Sequence, residues 1–170
     1  MSCMPNTHTP KTSQIELSIE REVVIDAPVE VVWRTITEPD QITQWFADRV
    51  EFDQRAGSEG TLTFDDHARK QLTIAAIVVE RIEKPHRFSF RWNHPAGVHA
   101  TTGNSVLVEF TLAAETSERT RLRVAETGLD DIDWPVDQKT AYVRDHLEGW
   151  EFHLGRLHQL FAAGATPSAR

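Results

Sequence analysis

The stretch VRDHLEGWEFHLGRLHQLF, residues 143–161, decides the fold. Its apolar residues Val143, Leu147, Trp150, Leu154, Leu157 and Phe161 follow one another at intervals of four, three, four, three and four. That spacing lines one face of an α-helix. Carried over residues 137–163, the helix would run about 40 Å. An apolar stripe of that length has to be covered by a second layer. The rest of the chain must therefore supply a long apolar surface.

Upstream the period changes to two. Phe88, Phe90 and Trp92 alternate with Arg87, Ser89 and Arg91, the pattern of a strand with one buried face. Val106, Val108, Phe110 and Leu112 repeat it, and Leu122 with Val124 does so again. Val50 with Phe52, Leu62 with Phe64, and the apolar run around Ile77, Val78 and Val79 add further strands. Gly57, Gly60 and Pro85 punctuate them. Short strands separated by turn signals predict an antiparallel meander. A first strand is predicted over residues 19–26, where Val23-Val24-Ile25 is β-branched. Ala27-Pro28 then opens a helix through Val32, Trp33 and Ile36, because proline suits a first helical turn. Pro39 ends that helix and opens a second short one through Ile42, Trp45 and Phe46. The pattern predicts an α+β helix-grip fold. A curved antiparallel sheet wraps a long C-terminal helix, with two short helices after the first strand.

Composition bounds the rest. The 170 residues fit one domain, expected over residues 18–163, with flexible tails at 1–17 and 164–170. The net charge of −8 opposes binding to phosphate backbones, so nucleic acid is not an expected partner. A single cysteine, Cys3, gives neither an internal disulfide nor a zinc framework. Together with the lack of a signal-like segment, this points to the cytoplasm. No apolar run is long enough to span a membrane. Phosphate-loop, dinucleotide and nucleophile-elbow motifs are absent, and no cofactor is expected.

Four segments carry a family resemblance: VVIDAPVEVVWRTITEPDQITQWF at 23–46, FSFRWN at 88–93, RLRVAETGL at 121–129 and HLEGWEFHLGRLHQL at 146–160. In this order they resemble proteins related to the C-terminal domain of the activator of heat-shock-protein-90 ATPase, within the START-like or SRPBCC superfamily. The resemblance implies a helix-grip fold around a cavity. It does not imply one function, since the superfamily includes lipid carriers, hormone receptors and aromatase/cyclases.

The predicted cavity lies between sheet and helix. Phe64, Phe88, Phe90, Trp92 and Phe110 would face it from the strands, and Leu147, Trp150 and Leu154 from the helix. These residues either surround a small apolar or aromatic ligand or close-pack as a core. Glu126, Tyr142 and His146 are the candidates for acid–base chemistry near the start of the helix. Tyr142 and His146 are four apart and share a helical face; as rim groups they would have no catalytic role. His146 and His153 are seven apart, and His94 and His99 flank a Pro-Gly loop. Neither pair has the spacing of a helical metal motif, and no metal site is expected. Asp130, Asp131 and Asp133 lack the glycine and terminal glutamate of a calcium loop. The connection at 93–104 is either a lid or a plain hairpin end.

Three functions follow in order. The first is ligand binding in the cavity. The second is a protein-interaction or chaperone-accessory role, including a homodimer contact. Trp45, Phe46 and Trp134 exposed in one patch would be its sign. The third is a cavity enzyme of cyclase or hydrolase type using Glu126, Tyr142 or His146.

Overall fold

The computed structural model describes residues 17–162, so the segments expected as tails lie outside the described residues apart from Leu17. The chain runs β1 (Ile19–Ile25), α1 (Val29–Thr37), α2 (Pro39–Ile42), β2 (Arg49–Glu51), β3 (Glu59–Asp66), β4 (Gln71–Glu83), β5 (Arg87–Trp92), β6 (Val106–Thr116), β7 (Arg119–Thr127) and α3 (Val136–Ala162). A single turn of 3-10 helix, Leu129–Asp131, precedes α3. The seven strands form one antiparallel sheet in the order β1-β7-β6-β5-β4-β3-β2. The first strand thus closes beside the last, and the hairpins between stack outward. This is the helix-grip fold that the strand and helix periods predict.

Parity decides which side chains face inward. Along β7, Thr120, Leu122, Val124 and Glu126 are buried, while Arg119 and Arg121 are exposed. Along β5, Phe88, Phe90 and Trp92 point to the core. The outward residues of β7 pair with neighbours across the strands. Arg123 holds Glu20 through two hydrogen bonds of 2.6 Å, and Arg121 holds Glu22 and Glu115. Such exposed pairs contribute little to stability, but they assign one face of the sheet to water. The other face meets α3 at Trp150, Leu154 and Leu157, which are 2%, 3% and 0% exposed.

Two local devices bend the sheet. The register between β4 and β5 shifts at Val79/Arg81, and that between β6 and β7 at Ala114/Thr116. Bulges of this kind increase strand twist. At Gly60 a side chain would collide with the Glu51 carbonyl oxygen, so β2 and β3 approach closely only because that residue is glycine.

The short helices plug one end. Pro28 precedes α1, and Val32, Trp33 and Ile36 are buried. Trp45 and Phe46 follow α2 and are also in the core, 1% and 6% exposed. The Trp45 indole N–H donates to the Thr35 carbonyl at 3.0 Å, tying this segment to α1. Trp134 is half-buried against the Tyr142 ring. The three aromatics whose joint exposure would mark a contact surface therefore form no such patch.

A carboxylate sealed behind an aromatic pocket

Glu126 is 2% exposed. A buried carboxylate has to find hydrogen bonds to replace its water, and here it has four partners. Oε1 accepts from the Trp92 indole N–H at 3.0 Å and from the Tyr142 hydroxyl at 2.8 Å. Oε2 accepts from the Trp150 indole N–H at 2.8 Å and lies 2.7 Å from Nδ1 of His146. β7 supplies the carboxylate, β5 one tryptophan, and three successive turns of α3 supply Tyr142, His146 and Trp150. The helical spacing of four aligns these three side chains, and strand parity brings Glu126 and Trp92 to meet them.

Tyr142 is fixed from several sides. Its hydroxyl oxygen accepts from Asn93 at 2.8 Å and from Trp92 at 3.1 Å, so its own proton goes to Glu126. Its ring stacks on His146, with centroids 3.7 Å apart. Burial, and next the Glu126 charge, raise the Tyr142 pKa well above the usual phenol value. The hydroxyl stays a donor throughout the working pH range.

A cavity of about 270 Å³ lies on the other side of His146, Trp92 and Trp150. Phe64, Thr73 and Ala75 wall it from the β3–β4 hairpin, where Phe64 and Thr73 are cross-strand partners. Phe46 closes it beneath, stacked on Trp150 at 5.0 Å. Asn93 stands at the end of β5, and Asp145, His146, Gly149 and His153 line it from α3. Gly149 leaves the space open: a Cβ added there would meet nothing within 4 Å. His153 packs edge-on against Phe46 at 4.9 Å, and its Nδ1 lies 3.4 Å from the Trp45 carbonyl oxygen. Burial lowers the His153 pKa, leaving a neutral imidazole at neutral pH.

The structure divides the expected cavity residues. Phe64, Trp92 and Trp150 line the open pocket. Phe88, Phe90 and Phe110 border only a void of about 10 Å³ deeper in, too small for more than about one water. Leu147 is half-buried against the core, and Leu154 is buried in it, bordering a groove with Arg21 and Val23 of β1. The three acid–base candidates, Glu126, Tyr142 and His146, come together at hydrogen-bonding distance. Sequence reasoning did not place Phe46, Thr73, Ala75, Asn93, Asp145, Gly149 or His153 at the pocket. For His153 a signal existed, since it follows Trp150 by three positions on the same helical face.

His94 is half-buried and His99 exposed, and neither lines this pocket, although His94 directly follows Asn93, which does. Among the described residues no three His, Cys, Asp or Glu side chains gather as a metal site. Of the 93–104 connection, Asn93 lines the pocket and the remainder does not. That loop is tied to itself by the Asn104 side chain, bonded to Thr101 N and the His99 carbonyl at 2.7 and 2.8 Å. No described helix is long and apolar enough to cross a membrane.

A family model for activator of Hsp90 ATPase homolog 1-like proteins matches residues 26–162. The chain belongs to that family. The match takes in α1 and α2, β2 to β7 and α3, and so the whole of the Glu126 network. Solved structures share the fold of this activator-homologue family member. DynU16, a protein of the dynemicin biosynthetic locus, is 26% identical with a TM-score of 0.66; the match covers 88% of this chain and 48% of DynU16, so the chain spans about half of that protein. MLL2253 from Mesorhizobium loti is 24% identical with a TM-score of 0.66, covering 86% and 97% of the two chains. The Aha1 dimer from Colwellia psychrerythraea is 15% identical with a TM-score of 0.66, covering 87% and 98%. Among curated protein sequences no relative matches.

Proposed function

We propose that this family member binds a small apolar or aromatic molecule in the pocket between the β3–β4 hairpin and α3. The observation that carries the reading is the hollow at Gly149. Glycine inside a helix costs about 1 kcal/mol relative to alanine. Here it stands on the wall of a 270 Å³ cavity and leaves that cavity unfilled. Ring walls from Phe46, Phe64 and Trp92, with a few polar groups around them, are the usual make-up of a small-molecule site. The volume suits a molecule of one or two rings better than a lipid chain. DynU16 belongs to the dynemicin biosynthetic locus, which agrees in kind with such a ligand.

A chaperone-accessory role draws support from the family description. The burial of Trp45 and Phe46 supports it less, because it removes the apolar surface that such contacts favour.

Gly149→Leu tests the binding reading. A leucine fits the helix better than glycine and would occupy the hollow. The expected result is a stability unchanged or raised by up to about 1 kcal/mol, with loss of binding across a panel of one- and two-ring aromatics followed by thermal shift and native mass spectrometry. A wild-type protein that binds no member of the panel, or a variant that binds as well as wild type, would sink the reading.

A further inference from the structure

We propose that the pocket takes its ligand as a phenol, and that Nε2 of His146 accepts the hydroxyl proton on binding. The inference rests on the binding reading above and adds the chemical class of the ligand.

Trp92 and Trp150 offer indole N–H groups, which only donate. The Tyr142 hydroxyl receives from Asn93 and Trp92 and must give its proton to Glu126. Three of the four partners of Glu126 are thus donors by necessity, and its oxygens act as acceptors. The fourth contact, at 2.7 Å, then requires Nδ1 of His146 to carry a hydrogen. Fixing Nδ1–H fixes the tautomer. In the neutral ring the lone pair sits on Nε2, which has no partner among the described residues. The ring is 26% exposed and lines the pocket. A carboxylate that orients an imidazole and offsets the charge it gains is the arrangement by which histidine serves as a base.

The other charged and titratable groups near the ring fit the same role. Tyr142 is held as the phenol by burial and by Glu126, so it does not compete as a base. His153, neutral through burial, lines the same pocket and packs against Trp150, with ring centroids 6.5 Å apart. Asp145 is at the rim, exposed and 3.5 Å from Arg144. Neither lysine nor arginine lines the pocket. A ligand that arrives as an anion meets Asp145 and finds no standing cation. A neutral ligand that releases its proton inside creates its own counter-ion, the His146 imidazolium paired with Glu126.

The transfer balances without a co-reactant. The ligand O–H bond breaks, the Nε2–H bond forms, and the electron pair stays on the ligand oxygen. Aliphatic alcohols are far too weak as acids for this step. In water a phenol at about 10 and an imidazole at about 6.5 differ by roughly 3.5 pKa units. Electron-withdrawing groups on the ring narrow that gap, so acidic phenols are the favoured class.

The experiment uses the full chain with 4-hydroxyacetophenone, at a pH above the ordinary histidine value of about 6.5 and below the probe's own pKa, and with 4-methoxyacetophenone as its non-ionisable anisole twin. Adding protein should produce the near-ultraviolet phenolate band, saturating with binding. The phenol should bind about tenfold or more tighter than the anisole, the range of a hydrogen bond to a charged partner. His146→Gln should bind both probes with similar affinity and no band. If His146→Gln no longer binds the anisole, His146→Phe, which keeps a ring stacked on Tyr142, replaces it with the same expectation. A bound phenol with a neutral spectrum, equal affinities for the two probes, or a band that survives in these variants overturns the proposal. In those cases the anisole still reports an occupied pocket, and the binding reading stands. Failure of both probes, together with the whole aromatic panel, removes both.

Discussion

The two ends of the contact between α3 and the sheet are built from the same residue types and end up differently. At the end plugged by α1 and α2, Phe88 and Phe110 are cross-strand partners with rings 6.2 Å apart, 1% and 2% exposed. Phe52 stacks on the outer side of Phe88 at 6.0 Å. Almost no space remains. Four residues further along β5, Trp92 has an indole nitrogen to satisfy, and Glu126 and Tyr142 satisfy it. Phenylalanine fills space with no directional demand, whereas tryptophan, tyrosine, histidine and glutamate fix one another at set distances and angles. The polar end is held open by its hydrogen bonds, and Gly149 keeps the helix from filling it. Apolar pairs make the stable base, and the polar ring builds the pocket.

The largest expected effect breaks this contrast at its packed end. Phe110→Ala should cost about 4 kcal/mol, the range for a buried phenylalanine whose neighbours cannot collapse into the hole. Phe64→Ala should cost less than half as much, because Phe64 is half-buried and borders space that is already open. Urea unfolding of the two variants is the measurement. Equal losses would mean that the pocket end is packed as tightly as the other.

Next comes the buried carboxylate. Glu126→Ala leaves the Trp150 indole N–H, a phenol and an imidazole N–H without their acceptor, and the Trp92 indole N–H with only the Tyr142 hydroxyl. Each unpaired buried donor costs about 1–3 kcal/mol, reduced here by water that can enter the space left behind. A net loss of about 3 kcal/mol is expected, together with a changed near-ultraviolet spectrum as Trp92 and Trp150 lose their partner. A variant as stable as wild type would show that Glu126 does not organise this end.

Much of this architecture can be read from periodicity. The 4-3-4-3-4 stripe specifies α3, and the alternation in β5, β6 and β7 specifies the inward face. The inward position of Glu126 was also readable, since it continues the parity of Leu122 and Val124. What parity does not carry is the partner of a polar group. Trp92 and Trp150 read as two more apolar core residues, because a sequence pattern records the ring and is silent on its N–H. The position of the open space was likewise illegible. Phe88, Phe90 and Trp92 look alike along the strand, and only the plug of Trp45 and Phe46 makes the first two solid core. A glycine in mid-helix, at 149, and a histidine three positions after Trp150 were the available pointers to the open end.

The smallest expected effect sharpens the contrast through pH. His153 belongs to the pocket but lies against Phe46 and beneath the Trp45 carbonyl, where the hydrophobic plug begins. Burial lowers its pKa, a nearby Arg156 adds to this, and the Trp45 carbonyl partly opposes it. Above about 6.5, the ordinary histidine value, folded and unfolded chains both hold this ring neutral and it adds no pH dependence. As the pH falls through that value, the unfolded chain takes up the proton and the folded one resists, so stability is lost. The loss stops growing once the pH passes below the lowered folded value. His153→Gln removes this term while keeping a polar side chain of similar length. The variant should therefore lose stability less steeply than wild type below about 6.5, and run parallel to it above. Unfolding curves of both proteins across that range give the difference directly, cancelling the carboxylates and other histidines common to the two. Parallel curves throughout would place His153 in water and move the boundary between the packed and open ends outward past Phe46.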